Sequence, residues 1–311
     1  MSILVLGGTG FIGRRVVRRL VERGEQVVCV DINPASASFV DIEDQVKVIR
    51  GDVTQFEDLV KVMMEERPNR VLNLAFLLGG GEDDPHFQMR INVVGMDNCF
   101  EAARLCGINR VVFGSSIAVS GLQKNFGDRL VNEDDPCYGT TQYARHKMFN
   151  ESQAALYIKN YGMSITGLRP ANTSGPDRIR PTDHVECITR PAHGQPVSFP
   201  WKSLMVLPIH VEDVAEAFVR VTLVDTTRYP IYNTGGTPIS LGDLAELVSR
   251  YLPDSQITFE DSGGLEQSMT YLVDNRRLLD EFELEYVAYP DRVLEIINDI
   301  RTERGLPLVA P

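Results

Sequence analysis

Tyr143 and Lys147 stand four residues apart in a stretch with helical apolar spacing, so both side chains leave the same face. A phenol with a free pKa of about 10 is a poor base near neutrality. An ammonium beside it stabilises the phenolate and lowers that pKa, so the pair can take a proton from a hydroxyl and return it. Tyr-x-x-x-Lys arises by chance in many helices; its weight here comes from what precedes it. Val111-Val112-Phe113-Gly114-Ser115-Ser116 reads as an apolar strand ending in two hydroxyls, and doubly wound sheets bind ligands at the carboxyl ends of their strands. Serines at a strand end are also ordinary turn residues, so they count only together with the helix that follows. Tyr138 competes with Tyr143, but the residue four further on is Gln142, which carries no charge, and Tyr138 precedes the expected helix start at Thr140–Thr141.

The elements that must hold such a pair begin at the N-terminus. Leu6-Gly7-Gly8-Thr9-Gly10-Phe11-Ile12-Gly13 follows the apolar run Ile3–Leu6 and leads into an amphipathic stretch. Gly7, Gly10 and Gly13 have the spacing in which one glycine turns the chain, one admits a pyrophosphate to the backbone, and one lets helix and strand pack closely. The N–H groups at the helix start then face the phosphates. A second strand, Gln26–Val30, ends in Asp31, the acidic position expected about 20 residues on. A carboxylate there accepts hydrogen bonds from the adenosine ribose and repels a 2′-phosphate, so the expected cofactor is NAD rather than NADP. With NAD in place, hydride leaves a carbinol carbon as Tyr143 takes its hydroxyl proton, and the positive nicotinamide lowers the phenol's pKa further.

Composition sets the class. The chain has 311 residues, 43% of them hydrophobic, enough for one large core or a core with a smaller lobe. A net charge of −12 argues against nucleic acid or an anionic membrane as the principal partner, because both select basic faces. Arg14, Arg15, Arg18 and Arg19 fall on the polar side of a helix whose other side carries Val16, Val17, Leu20 and Val21, and read as a solvated face. Cys29, Cys99, Cys106, Cys137 and Cys187 are odd in number and lack metal-ligand spacing, so they read as reduced structural thiols, and no metal is expected. The chain starts straight into a strand, and no segment approaches the roughly 18 apolar residues of a membrane span, so the expected setting is the cytoplasm.

Through residue 169 short β-branched runs alternate with longer helical patterns, which predicts a Rossmann-type doubly wound parallel α/β sheet. Strands are expected at Ile3–Leu6, Gln26–Val30, Val46–Ile49, Arg70–Leu74, Arg110–Gly114 and Ser164–Leu168, and helices near 11–23, 55–66, 86–106 and 140–161. Met89, Val93, Met96, Phe100 and Ala103 recur at helical spacing and read as core or as a subunit contact. After Pro170 the text turns Pro- and Gly-rich, as in loops of an appended lobe, then resumes with Leu207–Ile209, a helix over 211–223 and a strand near Ile231. From about 236, short helices and one strand are expected. The chain thus divides into a cofactor domain, 1–172 plus about 206–235, and a substrate lobe, about 173–205 plus 236–311. The run Gly79-Gly80-Gly81-Glu82-Asp83-Asp84 reads as a solvated loop rather than a metal site, since three glycines oppose preorganised ligands.

Taken in order, these residues resemble the extended short-chain dehydrogenase/reductase family, also called the NAD-dependent epimerase/dehydratase family. The resemblance rests on Gly7–Gly13, Gly51-Asp52-Val53, Asn92-Val93-Val94-Gly95, Ser115-Ser116, Tyr143 with Lys147 and Glu151, Leu168-Arg169-Pro170 with Asn172, Gly175-Pro176, His210–Ala215 and Tyr232-Asn233 with Gly235-Gly236. It implies a cofactor site of Gly7, Gly10, Phe11, Ile12, Gly13, Asp31, Asp52, Val53, Ala75, Ser115, Tyr143, Lys147 and Pro170. It further implies Ser116 hydrogen-bonded to the reacting oxygen, Tyr143 as acid and base, Asn172 and His184 against a small-molecule substrate, and a homodimer paired through helices 86–106 and 140–161. Departures matter too. Ser116-Ile117-Ala118 stands where the sugar-nucleotide dehydratases of this family carry Thr-Asp-Glu, which argues against water elimination. Met205-Val206-Leu207-Pro208 lacks the arginine that clasps a diphosphate in nucleotide-sugar members, with Lys202, Arg178 and Arg180 the nearby cations. The expectation is an NAD-dependent oxidoreductase acting on a secondary alcohol or ketone of a small, sugar-like substrate. The alternatives are a nucleotide-sugar epimerase with tightly bound NAD and a non-catalytic NAD(H)-sensing protein.

Overall fold

The structure is a computed structural model that describes residues 1–34, 39–78, 84–178 and 181–310. Residues 79–83 of the triglycine loop and Arg180 therefore lie outside the described residues.

Seven parallel strands form the centre: β1 (Ser2–Leu6), β2 (Gln26–Asp31), β3 (Val46–Arg50), β4 (Arg70–Asn73), β5 (Arg110–Gly114), β6 (Ser164–Pro170) and, much later in the chain, β11 (Ile231–Gly235). Their spatial order is β11-β6-β5-β4-β1-β2-β3. The chain runs outward from β1 to β3 and then returns to lay β4 on the other flank of β1, so the β1/β4 boundary is the topological switch point at which such sheets open a crevice. β1 reads as a continuous apolar run because helices cover both faces of the sheet.

On one face lie α1 (Gly13–Glu22) and α7 (Val211–Leu223), and on the other α2 (Phe56–Glu66), α4 (Gly95–Leu105) and α5 (Gln142–Tyr161), each closing its own apolar cluster against the sheet. α5 begins two residues later than the Thr140 expectation because the Thr141 hydroxyl caps it, accepting from Ala144 N at 3.1 Å; it ends at Gly162, whose φ of +67° suits only glycine well. The helix expected over 86–106 is three pieces: α3 (Pro85–Met89), a π-helical turn over Arg90–Val94, and α4.

A third apolar cluster joins α6 (Asp183–Ala192), β8 (Val197–Trp201), α8 (Leu241–Tyr251) and α10 (Tyr289–Glu303). α6 falls in text read as loop. Its prolines bracket a helix instead of denying one: Pro181 precedes the N-cap Thr182, and Pro191 occupies the last turn, while Val185, Cys187 and Ile188 are buried between them. Among the described residues beyond 236 there are two strands, β12 (Ile239–Ser240) and β13 (Ile257–Asp261), and α10 is 15 residues long. α9 (Arg276–Phe282) returns to the sheet, where Leu278, Phe282 and Leu284 join the α1/α7 cluster.

At the opposite end of the strands from the crevice, two buried arginines hold α7. Arg70, which opens β4, donates to Thr222 O at 2.7 Å and to Asp225 at 2.5 Å. Arg110, which opens β5, donates to Val221 O at 2.6 Å and to Thr166 Oγ1 at 2.7 Å. These carbonyls are among the orphans that every helix leaves at its C-terminus. Burial, and secondarily the charge of Arg70, pushes the Arg110 guanidinium down to about 10, so it remains charged at neutral pH. Arg110→Leu strands the Val221 carbonyl and the Thr166 hydroxyl, and is expected to cost about 2–4 kcal/mol of unfolding free energy in urea titrations. A loss under about 1 kcal/mol would mean that water replaces the guanidinium without penalty.

Candidate active site

The crevice starts from a backbone constraint. Gly7 has φ +73°, and a Cβ there would sit 2.6 Å from Ala75 N, so the turn after β1 touches the chain leaving β4 without room for a side chain. A methyl at Gly13 would overlap the carbonyl oxygen of Gly7, so α1 starts directly against that turn. Gly10 meets nothing closer than Gly7 O at 3.2 Å and is exposed. The N-cap of α1, Ile12, provides no side-chain cap and the first turn holds no acid; within that turn Arg14 N donates to Gly10 O at 3.0 Å and Arg15 N to Ile12 O at 3.1 Å.

Arg15 binds this turn to the rest of the molecule. It donates to Phe11 O at 2.9 Å, to Pro176 O at 3.0 Å and to Glu212 at 2.9 Å. Arg19 and Arg23 pair with Glu212 and Glu216. The arginine face of α1 is therefore not a solvated one as expected, because α7 lies along it and presents matching carboxylates.

Asp31, at the end of β2, accepts from Thr9 N at 3.3 Å and from Asn33 N at 3.2 Å, which sets its carboxylate at the rim of the glycine turn. Asp52 is fixed by Thr54 N at 2.9 Å, and Val53 packs where Gly95 leaves space on α4. Ala75 follows β4, its N–H bonded to Asn73 Oδ1 at 3.0 Å, and Pro170 closes β6 beside Gly235. All lie at or just beyond carboxyl ends of strands.

The side chains expected to be reactive lie beyond β5. Ser116 is the cap residue of a short 3-10 turn, its hydroxyl accepting from Ala118 N at 3.2 Å, and it lies close enough to the Tyr143 phenol to favour its ionised form. Lys147 is 4% exposed, donates to Gly114 O at 2.5 Å, and lies 3.3 Å from the centroid of the Phe76 ring. Phe76 also meets the Tyr143 ring edge to face at 5.4 Å. Tyr138 instead packs on Phe126. Phe76 was missed in the sequence; its signal was an aromatic residue just past a strand end where a ligand must approach. Asn92, part of a matched motif to which the sequence assigned no role, is held in place: Leu77 N donates to its side-chain oxygen at 2.8 Å and its amide donates to Leu77 O at 3.1 Å, while Asn150 donates to its backbone carbonyl at 2.9 Å. Glu151 and Arg169, likewise named in the sequence without a role, form a pair behind the serines: Ser115 donates to Glu151 at 2.5 Å, and Arg169 clasps the same carboxylate at 2.7 and 2.8 Å.

Burial raises the Tyr143 phenol, against the opposing effects of Ser116 and the charge of Arg178. That direction differs from the depressed phenol expected from Lys147, because desolvation outweighs nearby positive charge in the unliganded chain. Burial takes the Lys147 ammonium down to about 7, with the Glu151 charge opposing.

On the other side of the crevice, Asn172 accepts from Leu207 N at 2.9 Å. His184 is 2% exposed in the first turn of α6, its Nδ1 3.2 Å from Thr182 Oγ1, and burial and then the charge of Arg178 take it to about 3, so it is neutral at physiological pH. Arg178 donates to the Thr173 carbonyl and stands 6.0 Å from the Phe11 ring. Lys202 pairs with Glu246 at 3.5 Å. Among the described residues there is no cluster of His, Cys, Asp and Glu that could hold a metal, and no helix long and apolar enough to cross a membrane. All five cysteines are free thiols.

Comparison with known proteins accords with this geometry. The profile of the NAD dependent epimerase/dehydratase family matches residues 3–235. The UDP-glucose 4-epimerase of Mycolicibacterium smegmatis is 32% identical over 183 residues, 57% of this chain and 57% of that protein. Protein CapI of Staphylococcus aureus is 31% identical over 186 residues, 57% of this chain and 55% of that protein. The chain thus spans little more than half the length of the curated relatives it matches. Among solved structures, the Thermotoga maritima UDP-glucose 4-epimerase with UDP-glucose superposes with a TM-score of 0.86 at 21% identity, covering 98% of this chain and 100% of that one. The Thermus thermophilus UDP-glucose 4-epimerase with NAD gives 0.82 at 24%, covering 97% and 99%. At such identities these superpositions establish a shared fold.

The buried lysine has a measurable cost. Its charge persists in the unfolded chain up to lysine's ordinary pKa of about 10.4, so the penalty is fully present below about pH 7 and fades as pH rises between those values. Lys147→Met is expected to raise unfolding free energy at pH 6 by roughly 1–4 kcal/mol, with the gain shrinking toward pH 10. Urea unfolding at both pH values checks this, and an equal effect at each would contradict it.

Proposed function

Because the chain belongs to the NAD dependent epimerase/dehydratase family, we propose that it moves hydride between NAD and one secondary carbinol carbon of a sugar-type substrate, with Tyr143 as acid and base. The observation that carries this reading is the junction of Ser116, Tyr143 and Lys147 one strand away from a glycine turn that has no room for side chains. The residues fit the cofactor. Gly7, Gly10, Phe11, Ile12 and Gly13 would hold its pyrophosphate, Asp31 its adenosine ribose, Asp52 and Val53 its adenine, and Ala75, Ser115, Lys147 and Pro170 its nicotinamide half. When bound, NAD supplies the hydride acceptor and a positive ring near the phenol. Ser116 holds the substrate oxygen, and Tyr143 takes its proton. Lys147 stabilises the phenolate electrostatically, and Phe76 excludes water from its ammonium.

The relatives named UDP-glucose 4-epimerases support an epimerase, in which the hydride returns to the opposite face of the same carbon. Ile117 and Ala118 support the same choice over elimination, since neither carries the acid or base that removal of water requires. A released-cofactor dehydrogenase of a smaller substrate is the second reading; it is favoured by Met205-Val206-Leu207-Pro208, a stretch with no arginine for a diphosphate, and by the engagement of Lys202 with Glu246. Asn172 and His184 are the proposed substrate-side contacts. The exposed apolar residues Phe87, Met89, Val94, Phe149 and Leu156 on α3, the π turn and α5 support a homodimer formed through these helices. Five free thiols accord with a reducing, cytoplasmic setting.

Incubation with UDP-glucose and NAD separates the two readings: an epimerase yields the C4 epimer with no net NADH, whereas a dehydrogenase accumulates NADH in proportion to product. Tyr143→Phe is expected to lower turnover about 10²–10⁴-fold while NADH affinity changes less than about threefold. Turnover retained in that variant would transfer the acid–base role to another group. Light scattering should give twice the monomer mass, and Phe149→Glu should shift it to the monomer.

A further inference from the structure

We infer that Glu151 is a positioning residue: its carboxylate, pinned by Arg169, orients the Ser115 hydroxyl and is the counter-charge that keeps the buried Lys147 side chain an ammonium. Tyr143, Lys147 and Glu151 recur every four residues along α5 and so share one face toward the ends of β5 and β6. Both oxygens of Glu151 are engaged on that face. One accepts from Ser115 Oγ at 2.5 Å and from Arg169 Nε at 2.8 Å, and the other accepts from Arg169 at 2.7 Å. The Arg169 and Glu151 side chains are only 3% and 11% exposed, a depth at which a bidentate pair is rigid and poorly screened by salt.

Around the Lys147 ammonium, every other neighbour among the described residues is weak or of the wrong sign. Phe76 offers a ring face and Gly114 a carbonyl. On α5 itself, Tyr143 is a neutral phenol, and His146 is held neutral first by burial and then by Lys147. From β6 comes the positive Arg169, and from the preceding loop Cys137, whose thiol burial pushes up, so it too is neutral. Glu133 acts on Arg169 from the far side. Burial drives Lys147 down to about 7, and Glu151 is the charge that opposes the fall. Without it the lysine would be neutral across the range in which it must support the Tyr143 phenolate.

This inference deepens the proposed function and rests on Lys147 acting there, but its test needs no cofactor. Lysine labelled at Cε with carbon-13 reports side-chain titration by NMR, and Lys147→Arg assigns the signal against Lys47, Lys61, Lys124, Lys159 and Lys202. Lys147 should titrate near 7 in the unmodified protein, at least about one pH unit lower in Glu151→Gln, and within a few tenths of the unmodified value in Glu151→Asp, which keeps the charge. If the unpaired Arg169 prevents Glu151→Gln from folding, Glu151→Gln with Arg169→Met removes that charge and must still show a downward shift, a smaller one because loss of the like-charged Arg169 offsets part of it. An unchanged Lys147 titration in either Gln variant, or ordinary surface-like titration in the unmodified chain, overturns the inference. Failure of the unmodified protein to bind NADH would overturn the NAD reading instead, and the lysine titration would still decide the role of Glu151.

Discussion

A positive charge buried at the carboxyl ends of parallel strands organises this molecule. Lys147 lies where water cannot solvate it, so each nearby element supplies part of the replacement: a carbonyl from the end of β5, a ring face from the segment after β4, and a carboxylate from the next turn of its own helix. The carboxylate is in turn held by Arg169 from β6. A lone buried ammonium would neutralise itself by losing its proton. The chain of partners is what makes the charge tolerable, and it extends through three strands and one helix.

The two ends of the sheet divide the work. At the carboxyl ends, the glycine turn after β1 lies against the chain leaving β4 with no room for side chains, an arrangement with little stabilising value of its own. At the amino ends, Arg70 and Arg110 saturate the terminal carbonyls of α7. α7 reaches back to the crevice through Glu212, which meets Arg15 beneath the glycine turn. One helix thus carries rigidity from the stable end of the sheet to the end where chemistry is proposed.

Much of this was legible in the sequence because it rests on local rules. The strands and the glycine turn follow from apolar runs and from φ and Cβ constraints, and the Tyr143 and Lys147 pairing from helical spacing. Contacts between distant segments were not legible. Nothing near Arg15 in sequence announces Glu212, so the arginine face of α1 read as solvated until α7 was laid along it. Phe76 is one aromatic among 13 phenylalanines, and only the strand order brings it to Lys147. α6 was hidden because proline was taken as a loop residue, whereas Pro181 and Pro191 mark the two ends of a helix. The direction of the Tyr143 shift was misjudged for a related reason: charge partners can be read from spacing, but depth of burial cannot.

The π turn at Arg90–Val94 carries one further consequence. A π turn holds one more residue than an α turn, so it frees backbone carbonyls that the regular ladder would occupy. Asn92 sits within it, its carbonyl taken by Asn150, and its side chain grips both the N–H and the C=O of Leu77. Leu77 adjoins Phe76. The outer surface of the same segment exposes Phe87, Met89 and Val94. The Asn92 amide thus ties this helix to the segment that carries the ring against the buried ammonium. Among the described residues, that amide joins an apolar outer surface to the wall of the crevice.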